Sequence, residues 1–383
     1  MAETADIVVV GAGIVGCSLA YHLALQGARR VVVLEKDLIC SGSTGRSAGG
    51  IRQQFATEVN IRLSLESLRM FARMPEELGI DPGFRQVGYL FMATTPAELS
   101  LFRSNAELQR RFGVAVEIVS PEQIRELVPF VHLDGIIGGA HCPTDGYAAP
   151  YEVTMGYAAA ARRLGVKILE QRPLTGIRQR GGVVEGVETS AGPIQAPVIV
   201  CAAGASSGLV GEMAALEVPV KPFRRQLFTT HPIPEFAEEP PLTIDYHRNW
   251  YFRGELKGCL FSGPKDEEST FNTNVDWDHL AESVSAALVR LPILESAEIN
   301  RGCAGLYEIT PDNNPILGGV PELSGFYLAT GFSGHGFMHG PVAGKLIAEL
   351  ILTGATAIDI GPLSIERFRT GKVLEEPMTM HQV

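Results

Sequence analysis

Positive charge is scarce in this 383-residue sequence: 32 Lys and Arg face 43 Asp and Glu, a formal net charge of −11. A bulk electrostatic grip on phosphate backbones or anionic lipid is therefore excluded as a main activity, and nucleic acid is not an expected partner. Paired cysteines are missing too. The six, at positions 17, 40, 142, 201, 259 and 303, form no C-x-x-C pair, which argues against a zinc ribbon or a disulfide framework; no metal site is expected. No long apolar run is present. The best candidate, Val198–Leu216, is interrupted by Gly, Ser and Glu212, so no membrane span is expected. The opening MAETAD carries no basic stretch ahead of an apolar core, so the expectation is a protein without a secretory signal, placed in the cytoplasm. What remains is a globular composition, 45% hydrophobic and 20% charged, long enough for one large or two medium domains.

Three glycine-rich segments stand out. The first follows Ile7–Val10, an apolar run of the kind a doubly buried parallel strand requires. Gly11, Gly13 and Gly16 form G-x-G-x-x-G, a helical period runs from Ile14 to Gln26 and stops at Gly27, and a second buried strand, Val31–Leu34, is closed by Glu35. The first glycine permits the tight turn, the second lets backbone approach a pyrophosphate, and the third lets helix and strand pack closely. The pyrophosphate then meets free N–H groups at a helix start. Glu35, nineteen residues after Gly16, accepts hydrogen bonds from a ribose diol and repels a 2′-phosphate, so NADP is disfavoured while FAD and NAD stay open. Gly11, Ala12, Gly13, Ile14, Val15, Gly16, Glu35 and Lys36 are the candidate contacts here.

The second segment is Ser41–Arg52, whose small side chains can press backbone against a flat ring system and whose hydroxyls can bond diphosphate. Its candidates are Ser43, Thr44, Gly45, Arg46, Ala48, Gly49, Gly50 and Ile51. The third is Gly331–Gly340, leading into a final helix Phe337–Leu352. Its helix start could stabilise negative charge on a reduced ring, through Gly331, Ser333, Gly334, His335, Gly336, Phe337 and Met338. Between these segments the pattern predicts strand Val87–Thr94, helices Pro96–Phe112, Pro121–Leu127 and Pro150–Leu164, strand Val166–Leu169, a meander Gly176–Ile194 turning at Gly181-Gly182, strand Val198–Cys201, a β-rich stretch 217–298 with helix Trp277–Leu291, and strand Phe326–Ala329.

Taken with Val198-Ile-Val-Cys-Ala-Ala-Gly204 and Ala304-Gly-Leu-Tyr-Glu-Ile-Thr-Pro-Asp312, these segments appear in an order that resembles the D-amino acid oxidase/sarcosine oxidase superfamily of flavoenzymes. Ser43–Phe55 and the AGLYEITPD stretch look most like its branch of sarcosine oxidase β subunits and L-proline dehydrogenase β subunits. The resemblance implies an α/β fold with a discontinuous Rossmann-type FAD-binding domain (1–83, 145–216 and 299–383) and a second α+β substrate domain built around an antiparallel sheet (84–144 and 217–298). It also implies hydride transfer from a small secondary-amine amino acid, sarcosine- or proline-like, to flavin N5, giving an imine that hydrolyses. Glycine or D-amino acid oxidation, and a non-catalytic flavoprotein acting in assembly, are the alternatives.

By the same resemblance Arg52 falls on the carboxylate-binding arginine, Tyr251 and Tyr307 fall on active-site tyrosines, and His335 joins them from the C-terminal turn. Ala202, Ala203, Gly204, Gly305 and Leu306 would contact the flavin. Gly305 and Arg46 stand where relatives carry covalent flavin linkages, so the FAD is expected to be non-covalent. Phe261 and Met338 stand where relatives carry lysines. Loss of both cations would favour a dehydrogenase delivering electrons to an acceptor other than oxygen, with partner subunits of a hetero-oligomeric enzyme among the expected partners besides the amino acid itself.

Overall fold

The computed structural model describes residues 3–265 and 268–378. Its centre is a six-stranded sheet in the spatial order Ile316–Gly319, Phe326–Thr330, Val198–Cys201, Ile7–Val10, Val31–Leu34, Lys167–Leu169. Every neighbouring pair is parallel except the first. Ile7–Val10 and Val31–Leu34 are buried at all four positions because both faces are covered. Alternate residues serve the two faces. Ile7, Val9, Val31 and Val33 pack with Leu19, Val342 and Leu346 of the helices, whereas Val8, Val10, Val32 and Leu34 pack with Val184 and Val187 of a four-stranded meander.

Helices Ile14–Leu25, Pro150–Arg163 and Gly336–Thr353 share the helical face. The first and last approach closely. A Cβ on Gly344 would lie 2.5 Å from the Leu19 nitrogen, and one on Gly340 would lie 2.7 Å from Ile14 Cγ2.

An eight-stranded sheet adjoins this unit in the order Ile299–Ile309, Lys221–Thr230, Gly258–Lys265, Trp250–Glu255, Leu242–Asp245, Tyr89–Ala93, Gly138–Cys142, Glu117–Val119. It is antiparallel apart from the Leu242–Asp245/Tyr89–Ala93 pair. One face carries an aromatic cluster of Phe228, Phe236, Trp250, Phe252 and Phe261, covered by helix Leu280–Leu288 and its neighbours. The other face looks toward the first unit.

The expected elements fall close to those observed, with informative differences. The expected return to the dinucleotide-binding unit at residue 299 is corrected by the register: Ile299–Ile309 pairs along its length with Lys221–Thr230, from Lys221↔Ile309 to Thr230↔Ile299, and is the edge strand of the large sheet. Strand Gly138–Cys142 was not expected, because two glycines open it. Cross-strand packing requires them: a Cβ on Gly139 would sit 2.4 Å from the Phe91 carbonyl oxygen. The helix expected over Trp277–Leu291 runs only from Leu280 to Leu288 and passes into a tight turn at Pro292–Ser296. The expected domain spans also take in residues 1–2, 266–267 and 379–383, which lie outside the described residues. Among the described residues no helix is long and apolar enough to cross a membrane.

Candidate active site

Two adjoining cavities lie between the sheets, one of about 500 Å³ and one of about 90 Å³. The larger begins where strand Ile7–Val10 turns into helix Ile14–Leu25. Gly11 has φ +107°, and a Cβ there would lie 2.3 Å from the Ala202 carbonyl oxygen; a Cβ on Gly16 would lie 1.9 Å from the Gly11 oxygen. Only glycine fits this turn. The helix starts at Gly13 with no side-chain cap and no acid in its first turn, and Gly11, Gly13, Ile14 and Val15 line the cavity at that end. Apart from a long bond from Ile14 N–H to Thr44 Oγ1 at 3.3 Å, this helix start meets no side-chain acceptor, and a helix start facing a cavity is a site for an anion.

Glu35 lines the same cavity and is held there: Ala12 N–H donates to its Oε2 at 2.8 Å and Asp37 N–H to its Oε1 at 2.9 Å. Lys36, Ser43, Thr44, Arg46 and Ala48 follow around the wall, and Ala202, Ala203, Gly204, Gly305 and Leu306 complete it with Gly334, Gly336 and Phe337. Ala12 and Gly16 stand behind the turn.

Three other expected contacts are closely packed against the protein itself. Ile51 is buried in the apolar core, a Cβ on Gly331 would meet Thr310 Cγ2 at 2.4 Å, and one on Gly45 would meet the Cys40 oxygen at 2.2 Å. None of the three lines either cavity.

The Ser41–Arg52 loop is pinned to the large sheet. Ser43 donates its hydroxyl to the Leu306 oxygen at 2.5 Å, Arg46 Nη1 donates to the Ala304 oxygen at 2.9 Å, and Arg253 Nε donates to the Ala48 oxygen at 2.8 Å. Gly305 lies directly against Arg46, with 3.0 Å between a built Cβ and Arg46 Cβ. The long, glycine-walled cavity running from this helix start to a pinned small-residue loop fits an extended dinucleotide such as FAD, whose diphosphate would meet residues 11–15 and whose ribose would meet Glu35.

The smaller cavity opens beside it; the two share Ser47, Ala48, Arg225, Tyr251, Tyr307 and Gly334, among others. Gly49, Gly50, Arg52, Ser333, His335 and Met338 line the smaller one, as do Tyr89 and Lys265. Gly49 needs φ +70°, and Gly50 must be glycine because the Tyr89 hydroxyl lies 2.4 Å from where its Cβ would stand. Arg52 is buried. It donates to the Gln54 and Met378 carbonyl oxygens, and its guanidinium lies 4.0 Å from the centroid of the Phe55 ring. Burial pulls its pKa down from the usual guanidinium range, against the fields of Tyr89, Glu376 and Asp145.

Tyr251 and Tyr307 are hydrogen-bonded to each other; burial raises both phenols, so both stay protonated at neutral pH. His335 stands at the N-cap position of helix Gly336–Thr353 without a side-chain capping bond, and packs edge-on to Phe55 (5.4 Å) and His339 (5.1 Å). His339 is held near 3 by burial and by Arg52, and bonds Ser64 Oγ at 2.7 Å.

The position of Phe261 differs from expectation. Its ring is buried against Phe228 at 5.8 Å on the far face of the sheet, and its neighbour Ser262 faces the cavity. Lys265 lines the cavity although plain alternation would put it on the face of Phe261; the pairing with the neighbouring strand shifts register between Arg225 and Leu227, and the inference that the site lacks a cation there is corrected. Arg225, Gln226, Tyr89 and Lys265 had not been foreseen. No two-residue period marks them, because Arg225 and Gln226 are adjacent and the pairing of strands Lys221–Thr230 and Gly258–Lys265 shifts register between Arg225 and Leu227.

A dinucleotide cradle on a parallel sheet, joined to a small polar cavity on an antiparallel one, defines a flavin-dependent oxidoreductase. The chain belongs to the FAD dependent oxidoreductase family, whose sequence model matches residues 6–350. It is 33% identical to mitochondrial dimethylglycine dehydrogenase of Rattus norvegicus and 32% identical to mitochondrial sarcosine dehydrogenase of Homo sapiens, each over 96% of this chain but only 45% and 42% of the relative. The chain thus spans less than half the length of these curated relatives. The crystal structure of L-proline dehydrogenase from P. horikoshii superimposes with a TM-score of 0.92 at 35% identity, covering 98% of this chain and 100% of that one.

Proposed function

We propose that the chain oxidises a small secondary-amine amino acid, sarcosine- or proline-like, at a C–H bond beside nitrogen. The observation that carries this reading is the small cavity of about 90 Å³, walled by a buried arginine and a hydrogen-bonded tyrosine pair and continuous with the dinucleotide cavity. When bound, FAD accepts the hydride at N5. The chain's own residues do the rest. Arg52 binds the substrate carboxylate through its guanidinium fork. Tyr251 and Tyr307, both protonated, position the amine, and His335 with Phe337 and Met338 closes the cavity against water. The start of helix Gly336–Thr353, which has no acid in its first turn, stabilises negative charge on the reduced ring. The resulting imine hydrolyses in solvent.

Similarity to proteins named as dehydrogenases of dimethylglycine, sarcosine and proline supports an amine of this size. The cofactor cavity and the large sheet are read as cofactor and substrate domains respectively, and the electron acceptor as a partner subunit or carrier in the cytoplasm. Anaerobic addition of sarcosine or L-proline should bleach the flavin stoichiometrically. A flavin that stays oxidised against secondary amines while glycine or D-alanine bleaches it would shift the assignment to primary amines.

The FAD is held without a covalent bond, a reading motivated by Gly305 and Arg46, which pack on each other and offer no linking atom. Acid precipitation should leave the yellow colour in the supernatant; colour in the pellet would rule this out.

A further inference from the structure

We propose that Tyr89 is a substrate-binding residue: its phenol O–H donates to the substrate carboxylate and completes the subsite that Arg52 begins. This rests on the amine-oxidation reading above and adds to it a residue that selects for a carboxylate beside the amine.

Tyr89 opens strand Tyr89–Ala93 of the large sheet and is itself buried. Its backbone is paired on both sides, with Leu242 and with Cys142, so the side chain stands on a rigid base. The hydroxyl reaches across to the Ser41–Arg52 loop, to within 2.4 Å of where a Cβ on Gly50 would stand. A buried tyrosine ordinarily finds a partner for its O–H. This one does not find it in the protein. The Tyr89 carbonyl accepts from Gln54 Nε2, but among the described residues no group is hydrogen-bonded to the phenol oxygen.

The cavities say which ligand that hydroxyl serves. Tyr89 and Arg52 both line the smaller cavity and neither lines the larger, so the missing partner is not the dinucleotide. Burial raises the phenol above its ordinary range and keeps it a proton donor at neutral pH; of the charges around it, Arg52 acts most strongly, in the opposite direction. A protonated donor and a guanidinium thus stand together at one end of the substrate cavity.

The count of donors and acceptors points to a carboxylate. An ionised carboxylate has two oxygens, room for about four hydrogen bonds and no donor of its own. Arg52 already gives one N–H from each terminal nitrogen to the Gln54 and Met378 carbonyls. Its remaining N–H groups leave acceptor positions on the carboxylate open, and a cavity of about 90 Å³ filled by substrate has little space for water to take them. The Tyr89 O–H fills one. A substrate bearing an amide or a second amine at this end would set donor against donor, so the same pair also rejects it. Tyr89 makes and breaks no covalent bond; it holds one end of the substrate while the C–H bond beside nitrogen gives up its hydride.

The test uses the FAD-loaded enzyme and a ligand with the carboxylate but no nitrogen, cyclopentanecarboxylate, titrated against the visible absorption of the flavin. Tyr89→Phe removes one oxygen and keeps the ring. It should raise the dissociation constant of cyclopentanecarboxylate about tenfold or more, with flavin content and melting temperature near wild type. The apparent constant for L-proline in anaerobic flavin reduction should rise by a similar factor. A phenylalanine variant that binds cyclopentanecarboxylate as wild type does would overturn the assignment. So would a loss confined to L-proline, which would give the hydroxyl to the amine instead. A variant that is short of flavin is titrated as its residual holoenzyme and judged by the same two constants. Failure of sarcosine and L-proline to bleach the wild-type flavin would overturn the amine-oxidation reading, while the cyclopentanecarboxylate titration would still decide the role of Tyr89.

Discussion

The six-stranded and eight-stranded sheets wall the same pair of cavities by opposite means. The parallel sheet buries both faces in aliphatic side chains and presents its cavity end as backbone: the turn Gly11–Gly16, the start of helix Ile14–Leu25 and the Ala202–Gly204 bend. The large sheet buries one face in phenylalanines and presents Arg225, Tyr251, Ser262 and Lys265 to the smaller cavity. A site made of backbone N–H groups tolerates almost no change in the glycines that shape it. A site made of side chains on a rigid strand can be retuned one residue at a time without moving the fold. This contrast explains why the cofactor class is so much better determined than the substrate.

Breaking the backbone side of the comparison should have the largest effect. Gly11→Ala forces a Cβ to 2.3 Å from the Ala202 oxygen at a φ of +107°. The strained backbone alone costs about 1–3 kcal/mol, and the displaced Ala202 bend adds to it. The flavin-to-protein absorbance ratio of the purified variant should fall at least tenfold; a variant with full flavin would mean that this turn does not hold the diphosphate.

A smaller effect is expected from the segment that braces the side-chain pole. Glu376 is buried and accepts hydrogen bonds from Ala56 N–H, Thr57 N–H, the Thr57 hydroxyl and Asn60 Nδ2, tying the C-terminal segment to the chain entering helix Glu58–Glu77. Two residues on, the Met378 oxygen accepts from Arg52. Glu376→Gln replaces one acceptor oxygen with a donor and should cost about 1–3 kcal/mol, read as a lower melting temperature with flavin retained.

The smallest effect concerns pH. Lys265 is held to about 7 in the folded chain against an ordinary 10.5. The unfolded chain therefore binds more protons across that interval, and the group's penalty on stability is full below pH ~7, shrinks as pH rises and is gone above ~10.5. Lys265→Met should accordingly raise the melting temperature relative to wild type at pH ~6 and lose that advantage by pH ~10. A constant difference across the range would mean that the ammonium is not desolvated.

The same division governs how much could be read in advance. The strand–turn–helix–strand–acid unit of residues 7–35 was legible to within a residue, because each of its signals is local: an apolar run, spaced glycines, a closing acid. The Ser41–Arg52 loop and the Gly331–Gly340 turn were legible as cavity walls, although Gly45, Ile51 and Gly331 line neither cavity. On the large sheet, legibility fell away. Which face a residue takes depends on a register set by partners tens of residues distant, and a one-residue slip exchanges the faces. Phe261 accordingly packs into the aromatic cluster and not the cavity, and the register shift between Arg225 and Leu227 hides Arg225 and Lys265 from a period-two reading. The Glu376 contact joins positions 320 residues apart, and no local pattern announces it.

Whether cofactor and substrate are held by separable parts of the cleft can be measured on one residue. Arg52 lines only the smaller cavity, and losing a buried charge-assisted pair with a carboxylate typically costs ~2–5 kcal/mol. Arg52→Ala should raise the apparent substrate constant by tens-fold or more while FAD content stays near wild type, and Arg52→Lys should recover only part, since a point charge cannot supply the bidentate fork. An alanine variant that loses FAD yet keeps its substrate affinity in the residual holoenzyme would contradict that separation and make Arg52 a cofactor or structural residue.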